Sequence, residues 1–332
     1  LGGTIITANG YIAVQWKDDS LYLQQPSLTD EYTCYDVIGD QLVPTKLAGT
    51  EYIVMRGQIG ESLPSGKKKA EFVYIMAVKD GTTNVSFSTD NNDNISPITL
   101  TKRGEIKHIR LNNKLVNVLD KKNYNALHIS ADNPIIVMHI AGFGCEVGSA
   151  ILPTINGCTG STDVSVCRST SEDFYLNIMC KVAHKGDFTI NVNGNNYSIP
   201  ATWFKDIPNT GWCYLVREHV KFSSTNGSIP AVSTGSVVKV SNSTGLFHLA
   251  IINGGSTSGC RYGYFSDFSN NMGKAVVAGD DFNSEYDRFC VGDTVTLSST
   301  GGWKYQWSFI PPDGVTIDNG TDDTFISTNT LT

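Results

Sequence analysis

No stretch of this chain approaches the roughly 20 consecutive apolar residues that a helix needs to span a bilayer, so no transmembrane segment is expected. Charge is scarce too: Asp, Glu, Lys and Arg make up 17% of the residues, against a usual share of about 25%. The polar surface must come from Asn, Ser, Thr and Gly instead, a composition common in secreted β-proteins. The charge present sums to −7, and no basic stripe interleaved with aromatics occurs, which excludes nucleic acid as a partner. Lys67-Lys68-Lys69, following Pro64 and Gly66, reads as a solvated loop tip. Helical periodicity is missing as well, apart from the short LNNKLVNVLD stretch at Leu111.

Motifs of catalysis are also missing. His108, His128, His139, His184, His219 and His248 stand singly, with no H-E-x-x-H pair, and His108 and His128 read as solvent-facing strand positions. There is no G-x-S-x-G elbow, and the Gly66 stretch lacks the spacing and hydroxyl of a P-loop. A glycosidase needs two carboxylates across a cleft. Asp18, Asp19, Glu51, Glu71, Glu105, Glu146, Glu172 and Asp173 are available, and nothing in the sequence pairs any two of them. The chain is therefore not expected to be an enzyme, and no catalytic residue is assigned. Without a C-x-x-C pair no zinc site is expected and no cofactor is called for. Asp18-Asp19, Asp90 to Asn94 and Asp280-Asp281 would offer oxygens to a structural Ca²⁺, but none matches an EF-hand loop, and solvated acidic loops are the simpler reading.

Eight cysteines are present: Cys34, Cys145, Cys158, Cys167, Cys180, Cys213, Cys260 and Cys290. An even count at long, irregular spacings points to disulfides in an oxidising compartment. Sequons at Asn84, Asn94, Asn196, Asn226, Asn242 and Asn319 are glycosylation candidates and point the same way. The expected location is extracellular, secreted or on a cell surface. No signal peptide opens the chain, and the natural protein is expected to extend upstream.

What is there is internal repetition. HISADNPIIVMHIAG from His128 has counterparts in TIITANGYIAVQW from Thr4 and KVSNSTGLFHLAIING from Lys239. Each reads as strand, polar turn, strand, with turns at Asn9-Gly10, Asp132-Asn133 and Ser243-Thr244-Gly245. The regions between correspond too: AEFVYIMAVKDG from Ala70 with EDFYLNIMCKVAHKG from Glu172, and GCEVGSAILP from Gly144 with GCRYGYFSDF from Gly259. The period, about 110 to 125 residues, exceeds that of a solenoid repeat and suits a whole domain. Short β-branched and aromatic runs separated by Gly, Asn, Asp and Pro predict seven or eight strands per copy. The fold class expected is all-β: tandem antiparallel β-sandwich, jelly-roll-like domains. Residues 1–48 are read as the closing hairpin of a first copy plus linker, 49–155 as the second copy, 156–171 as linker, 172–268 as the third copy and 269–288 as linker. From 289 to 332, a Cys, a G-D turn, an alternating Val295/Leu297 strand and Tyr305-x-Trp307 resemble the opening of an Ig- or PKD-like sandwich.

The stretch from His128 to Cys167, with its order ADNPI, GCEVG, AILP and CTGS, resembles the IgGFc-binding protein N-terminal family, as does CYDVIGDQLVPTKLAGTEYIVM from Cys34. The likeness covers roughly residues 1 to 268 and is most specific over Asp132 to Ser161. It implies secretion, a β-rich architecture and adhesion or binding in a mucus layer, as in mucus-associated glycoproteins and large bacterial surface proteins.

Cys180 aligns with Ala77, and Cys213 falls near the counterpart of His108–Ile109. Two cysteines gained together in one copy suggest a bridge across its core. Cys145 and Cys158 flank a turn and are candidates for a local bridge. Trp16, Tyr22, Trp203, Phe204, Trp212, Tyr262, Tyr264 and Phe265 lie near strand ends or loops, where planar rings stack on sugars or enter interfaces. Arg261, Tyr262, Tyr264, Phe265 and Trp16 are the ligand-binding candidates. The leading functional expectation is a non-enzymatic adhesion or scaffold segment whose partners are glycans, mucin-like glycoproteins or other copies of itself, including in a surface filament. A carbohydrate-binding region of a glycan-active enzyme and a passive spacer are the alternatives.

Overall fold

The structure, a computed structural model, describes residues 3–10, 12–22, 35–57, 71–92, 94–111, 124–143, 146–155, 159–255 and 258–268, with short strands at 273–274, 288–289, 294–298 and 324–328. It is all-β and antiparallel throughout, of the β-sandwich type. Strands β1 (Gln15–Tyr22) and β2 (Tyr35–Gln41) pair with each other. The second copy supplies β3 (Gly49–Met55), β4 (Glu71–Ala77), β5 (Thr83–Thr89), β6 (Asn94–Leu100), β7 (Ile106–Leu111), β8 (Ala126–Phe143) and β9 (Glu146–Ile151). Its hub is β8, at 18 residues. The first half of β8 pairs with β3 and β5, and β6 lies beyond β5. The second half pairs with β4 and β9, and β7 lies beyond β4. Through β8 the seven strands are hydrogen-bonded as one continuous sheet, whose two halves close as layers over Tyr52, Val73, Ile75, Phe87, Ile129 and Val137.

The third copy supplies β10 (Asp163–Cys167), β11 (Asp173–Lys181), β12 (Phe188–Val192), β13 (Asn195–Ser198), β14 (Phe204–Ile207), β15 (Trp212–Leu215), β16 (Val237–Asn242), β17 (Phe247–Gly255) and β18 (Gly259–Tyr264). Its sheets run β10-β16-β12-β13 and β14-β15-β11-β17-β18. With β16 and β17 in place of the two halves of β8, β10 for β3 and β18 for β9, this is the strand order of the second copy with β14 added. Phe174, Leu176, Ile178, Phe188, Val240 and Phe247 form its core. Strands β5, β10 and β16 alternate buried and less buried positions, as a strand with one core-facing side must.

Three expectations are corrected. None of the polar turns closes a hairpin. Asp132 and Asn133 lie inside β8, where the Asp132 carboxylate accepts bonds from the Asn84 backbone N–H (2.9 Å) and side-chain amide (2.8 Å), and Asn133 donates to the Thr82 carbonyl (3.1 Å). With their polar groups satisfied across the ladder, they let the chain cross between layers without turning. In the third copy Asn242 does break the strand, its side-chain oxygen accepting from Thr244 N–H (3.0 Å) and Gly245 N–H (2.9 Å), but β16 and β17 then enter different sheets. Gly245 sits against the His184 ring, where a Cβ would come within 2.3 Å. The segment around Asn9-Gly10 forms no strand; β1 begins only at Gln15.

The other two corrections concern linkers. Tyr35–Gln41 is strand β2, and Asp163–Cys167 is strand β10 of the third copy's sheet. Arg168 follows β10 and donates to the carbonyls of Thr170, Ser171, Glu172 and Val232, a set of bonds that ties this segment into the fold.

Towards the C-terminus, β19 (Gly273–Lys274) pairs with β20 (Arg288–Phe289), and β21 (Thr294–Ser298) pairs with β22 (Thr324–Thr328). A strand therefore stands where Val295/Leu297 predicts one. Cys290, Tyr305 and Trp307 lie outside the described residues, as do Lys67-Lys68-Lys69, most of the Leu111 stretch and Asp280-Asp281.

Candidate functional site

Strands β11 and β17 are buried along nearly their whole length, on both faces. The core covers one face, and the second copy covers the other. Ile53 and Met55 of β3, with Ala126 and Ile155, pack against Met179, Ile207, Trp212 and Tyr214. Side by side with this apolar patch lie two polar networks that also cross between copies.

In the first network, His139 of β8 is fully buried. Its Nε2 lies 3.0 Å from Glu71 Oε2, and its Nδ1 lies 2.9 Å from the Tyr262 hydroxyl of β18. Glu71, at 1% exposure, also accepts from the Gly57 N–H (3.2 Å) and pairs with Arg56 (3.6 Å). Burial pushes the Glu71 carboxyl up, but Arg56, the His139 bond and the Gly57 bond together outweigh it and hold the pKa below the usual carboxylate value. Burial drives the Tyr262 phenol well above its ordinary pKa, so it stays protonated. The order carboxylate, imidazole, hydroxyl mimics a proton relay, yet it is enclosed between copies and ends in a phenol that resists ionising. Its chemistry suits it to holding two surfaces together rather than to attacking a substrate.

The second network centres on Asp90, 2% exposed at the end of β5. It accepts from the Tyr214 hydroxyl (2.5 Å) and Lys205 Nζ (2.8 Å) of the third copy, and from the Asn125 N–H (3.2 Å). Asn209 reaches Asn92 nearby at 3.3 Å. Asp90 is thus engaged by protein donors; Asp93 and the Asn94 side chain lie outside the described residues. Asp18 and Asp19 stand exposed on β1. Among the described residues, no cluster of three or more His, Cys, Asp or Glu forms a metal site.

The first copy's strands dock in a related way. Trp16, Leu21 and Ile38 pack on Phe72, Ile140 and Val147. The Gly39 N–H donates to Ser149 Oγ (3.1 Å), and the Ile151 N–H to Asp40 (2.7 Å). Strand β9 in turn lies against β18, so closely at Gly148 that a Cβ there would come 3.0 Å from the Cys260 carbonyl and Tyr262 Cβ.

The ligand-binding candidates separate accordingly. Tyr262 has its hydroxyl on His139, Tyr264 packs among Ile53, Met55 and Trp212, and Trp16 packs on the second copy. Arg261 and Phe265 are exposed, Phe265 at 51%. Trp212 is buried between copies, Phe204 lies in the core, and Trp203 stacks on His219 at 4.1 Å. The Tyr22 side chain lies outside the described residues. Cys180 and Cys213 face each other across β11 and β15 with sulfurs 3.5 Å apart, both fully buried. Cys145 and Cys158 lie outside the described residues.

Of the sequons, Asn84 and Asn196 are exposed, whereas Asn226 and Asn242 are buried with their amides donating to the carbonyls of His219 (2.6 Å) and His184 (2.8 Å). The Asn94 side chain and Asn319 lie outside the described residues.

Sequence reading missed Glu71, His139, Asp90 and Tyr214 as partners. His128, read as solvent-facing, is half-buried instead, and burial lowers its pKa. His248 is fully buried, 2.9 Å from Ser266 Oγ and 3.2 Å from Thr159 Oγ1, and burial lowers its pKa to about 3. A polar residue inside an otherwise continuous apolar run was the available signal for His139 and His248.

Among the described residues no helix is long and apolar enough to cross a membrane. Neither the curated proteins nor the solved structures contain a match to the chain. Matched over residues 1–252, the chain belongs to the IgGFc binding protein family, a family of extracellular binding proteins.

Proposed function

We propose that this chain is an adhesion or scaffold segment of a larger extracellular protein, in which successive β-sandwich copies are locked into one stiff body that displays binding surfaces. The joint carries this reading. Its Glu71–His139–Tyr262 and Asp90–Tyr214–Lys205 networks bury charged and polar groups across copies. Separating the copies would strand these groups, at several kcal/mol each. Partners would be glycans, mucin-like glycoproteins or further copies of the chain, engaged by repeated modest contacts that gain from linkage. Arg261 and Phe265 are the exposed candidates for such contacts. The non-enzymatic reading is supported by Glu71 and Asp90, buried carboxylates already held by protein donors.

Binding to an immobilised mucin-type glycoprotein tests the proposal. The Arg261→Ala, Phe265→Ala pair should weaken capture about tenfold or more. Unchanged binding would move the contact elsewhere on the surface. A passive spacer is the second reading, favoured by the engagement of Tyr262 and Tyr264 within the joint. Silence against both glycoproteins and a second copy of the chain would establish the spacer.

A further inference from the structure

Cys180 and Cys213 stand directly opposite each other in the antiparallel ladder of β11 and β15. Opposed residues in such a ladder have Cα atoms about 4.5 to 5.5 Å apart, inside the span a disulfide bridges. Both are free thiols in the structure, with sulfurs 3.5 Å apart and zero exposure. Their flanking partners on β15, Trp212 and Tyr214, point to the opposite face and hold the second copy through the apolar patch and Asp90. Strand β15 is therefore a short, four-residue element loaded from outside by the joint and connected to its sheet through β11 and β14.

We propose that Cys180 and Cys213 form a disulfide that clamps β15 to β11 and so anchors the third copy's side of the joint. In forming it, two S–H bonds break and one S–S bond forms, while the two electrons and two protons pass to a small-molecule or protein disulfide, whose own S–S bond breaks to give its dithiol. Burial dictates when this happens. Each sulfur is sealed in the core, and the contact with Cys213, with burial, pushes the Cys180 thiol far above its ordinary pKa. A sealed, protonated thiol is a poor nucleophile. The bridge therefore forms before the β14–β15 hairpin closes over it, and once made it is shielded from reductant. In the second copy the position aligned with Cys180 is Ala77, also buried, so the sheet itself tolerates alanine there.

Peptide mapping tests this directly. The chain, exported to an oxidising compartment, is denatured in the presence of a thiol-alkylating reagent and digested without reductant. A linked peptide pair containing Cys180 and Cys213, about 2 Da lighter than the two thiol peptides together, is expected. Alkylated Cys180 and Cys213, or either joined to a different cysteine, would overturn the assignment. Thermal unfolding tests the clamp. Once mapping shows the link opened by reductant under denaturing conditions and kept open on refolding, the third copy should melt about 10 °C lower or more. The Cys180→Ala, Cys213→Ala double variant should be insensitive to reductant at this transition. A wild-type melt unmoved by opening the link would overturn the anchoring role.

Discussion

Where the chain crosses from one layer to the other, the second copy runs straight through Asp132 and Asn133 inside an 18-residue strand. At the same place the third copy breaks, turns on the Asn242 side chain and restarts at Phe247. The strand orders on either side agree. The topology is therefore carried by which faces of the flanking strands are apolar, and the local connection is free to vary as long as its polar groups find partners. The copies differ in the same spirit where they meet. The second copy brings Glu71, His139 and Asp90, whereas the third brings the phenols of Tyr262 and Tyr214 and the Lys205 ammonium.

The sharpest way to break this joint is from the second copy. Glu71→Ala leaves His139 and Arg56 buried without their carboxylate and should cost about 3–5 kcal/mol, read by chemical denaturation. Small-angle scattering should report an extended, loosened particle. A change confined to a few tenths of a kcal/mol would mean that the network is idle.

The third copy's matching test is a pH series. The folded pKa of His248 is about 3, against an ordinary value of 6.5. Between those values the unfolded chain binds the extra proton, so the stability contribution is complete above pH 6.5 and is lost as pH falls toward 3. The slope should be about 1.4 kcal/mol per pH unit well inside that window. Glu71, with its pKa below 4.5, adds a further loss that begins as pH falls through 4.5, so the His248 slope is read cleanly between about 6.5 and 4.5. His248→Gln should flatten the slope by about one proton; an unchanged slope in urea midpoints would remove His248 from the account.

Asn242→Ala removes the acceptor that turns the chain and should destabilise the third copy by about 1–2 kcal/mol. Its counterpart Asp132→Ala, at an exposed position, should do much less. Equal losses would sink the idea that the two crossings rest on different chemistry. The smallest effect belongs to Asn196→Gln, on an exposed hairpin, within about 0.5 kcal/mol. In a glycosylating host Asn196 should carry glycan in the folded protein and Asn242 should not, which glycopeptide mapping checks.

Much of this architecture was legible in the chain. Alternation marked β5 and β16, and pairing of the repeats aligned Cys180 with Ala77, whereas β10 was read as linker. The same patterns misplaced the turns, because Asp132-Asn133 between apolar runs looks identical whether the chain reverses there or crosses between layers. They also scored Tyr262 and Tyr264 as surface rings. An aromatic near a strand end carries no mark of what will lie over it, and here a neighbouring copy does.

From the sequence alone follow the all-β class, the repetition and the scarcity of charge, since side-chain alternation and composition are local properties that every strand carries with it. Only the tertiary structure decided that Glu71 meets His139, that Asp90 meets Tyr214 and Lys205, and that Cys180 lies against Cys213. These pairs are separated by 33 to 124 positions along the chain. Their partnership depends on how whole sheets stack, and stacking is fixed by the summed burial of many apolar faces rather than by any one residue.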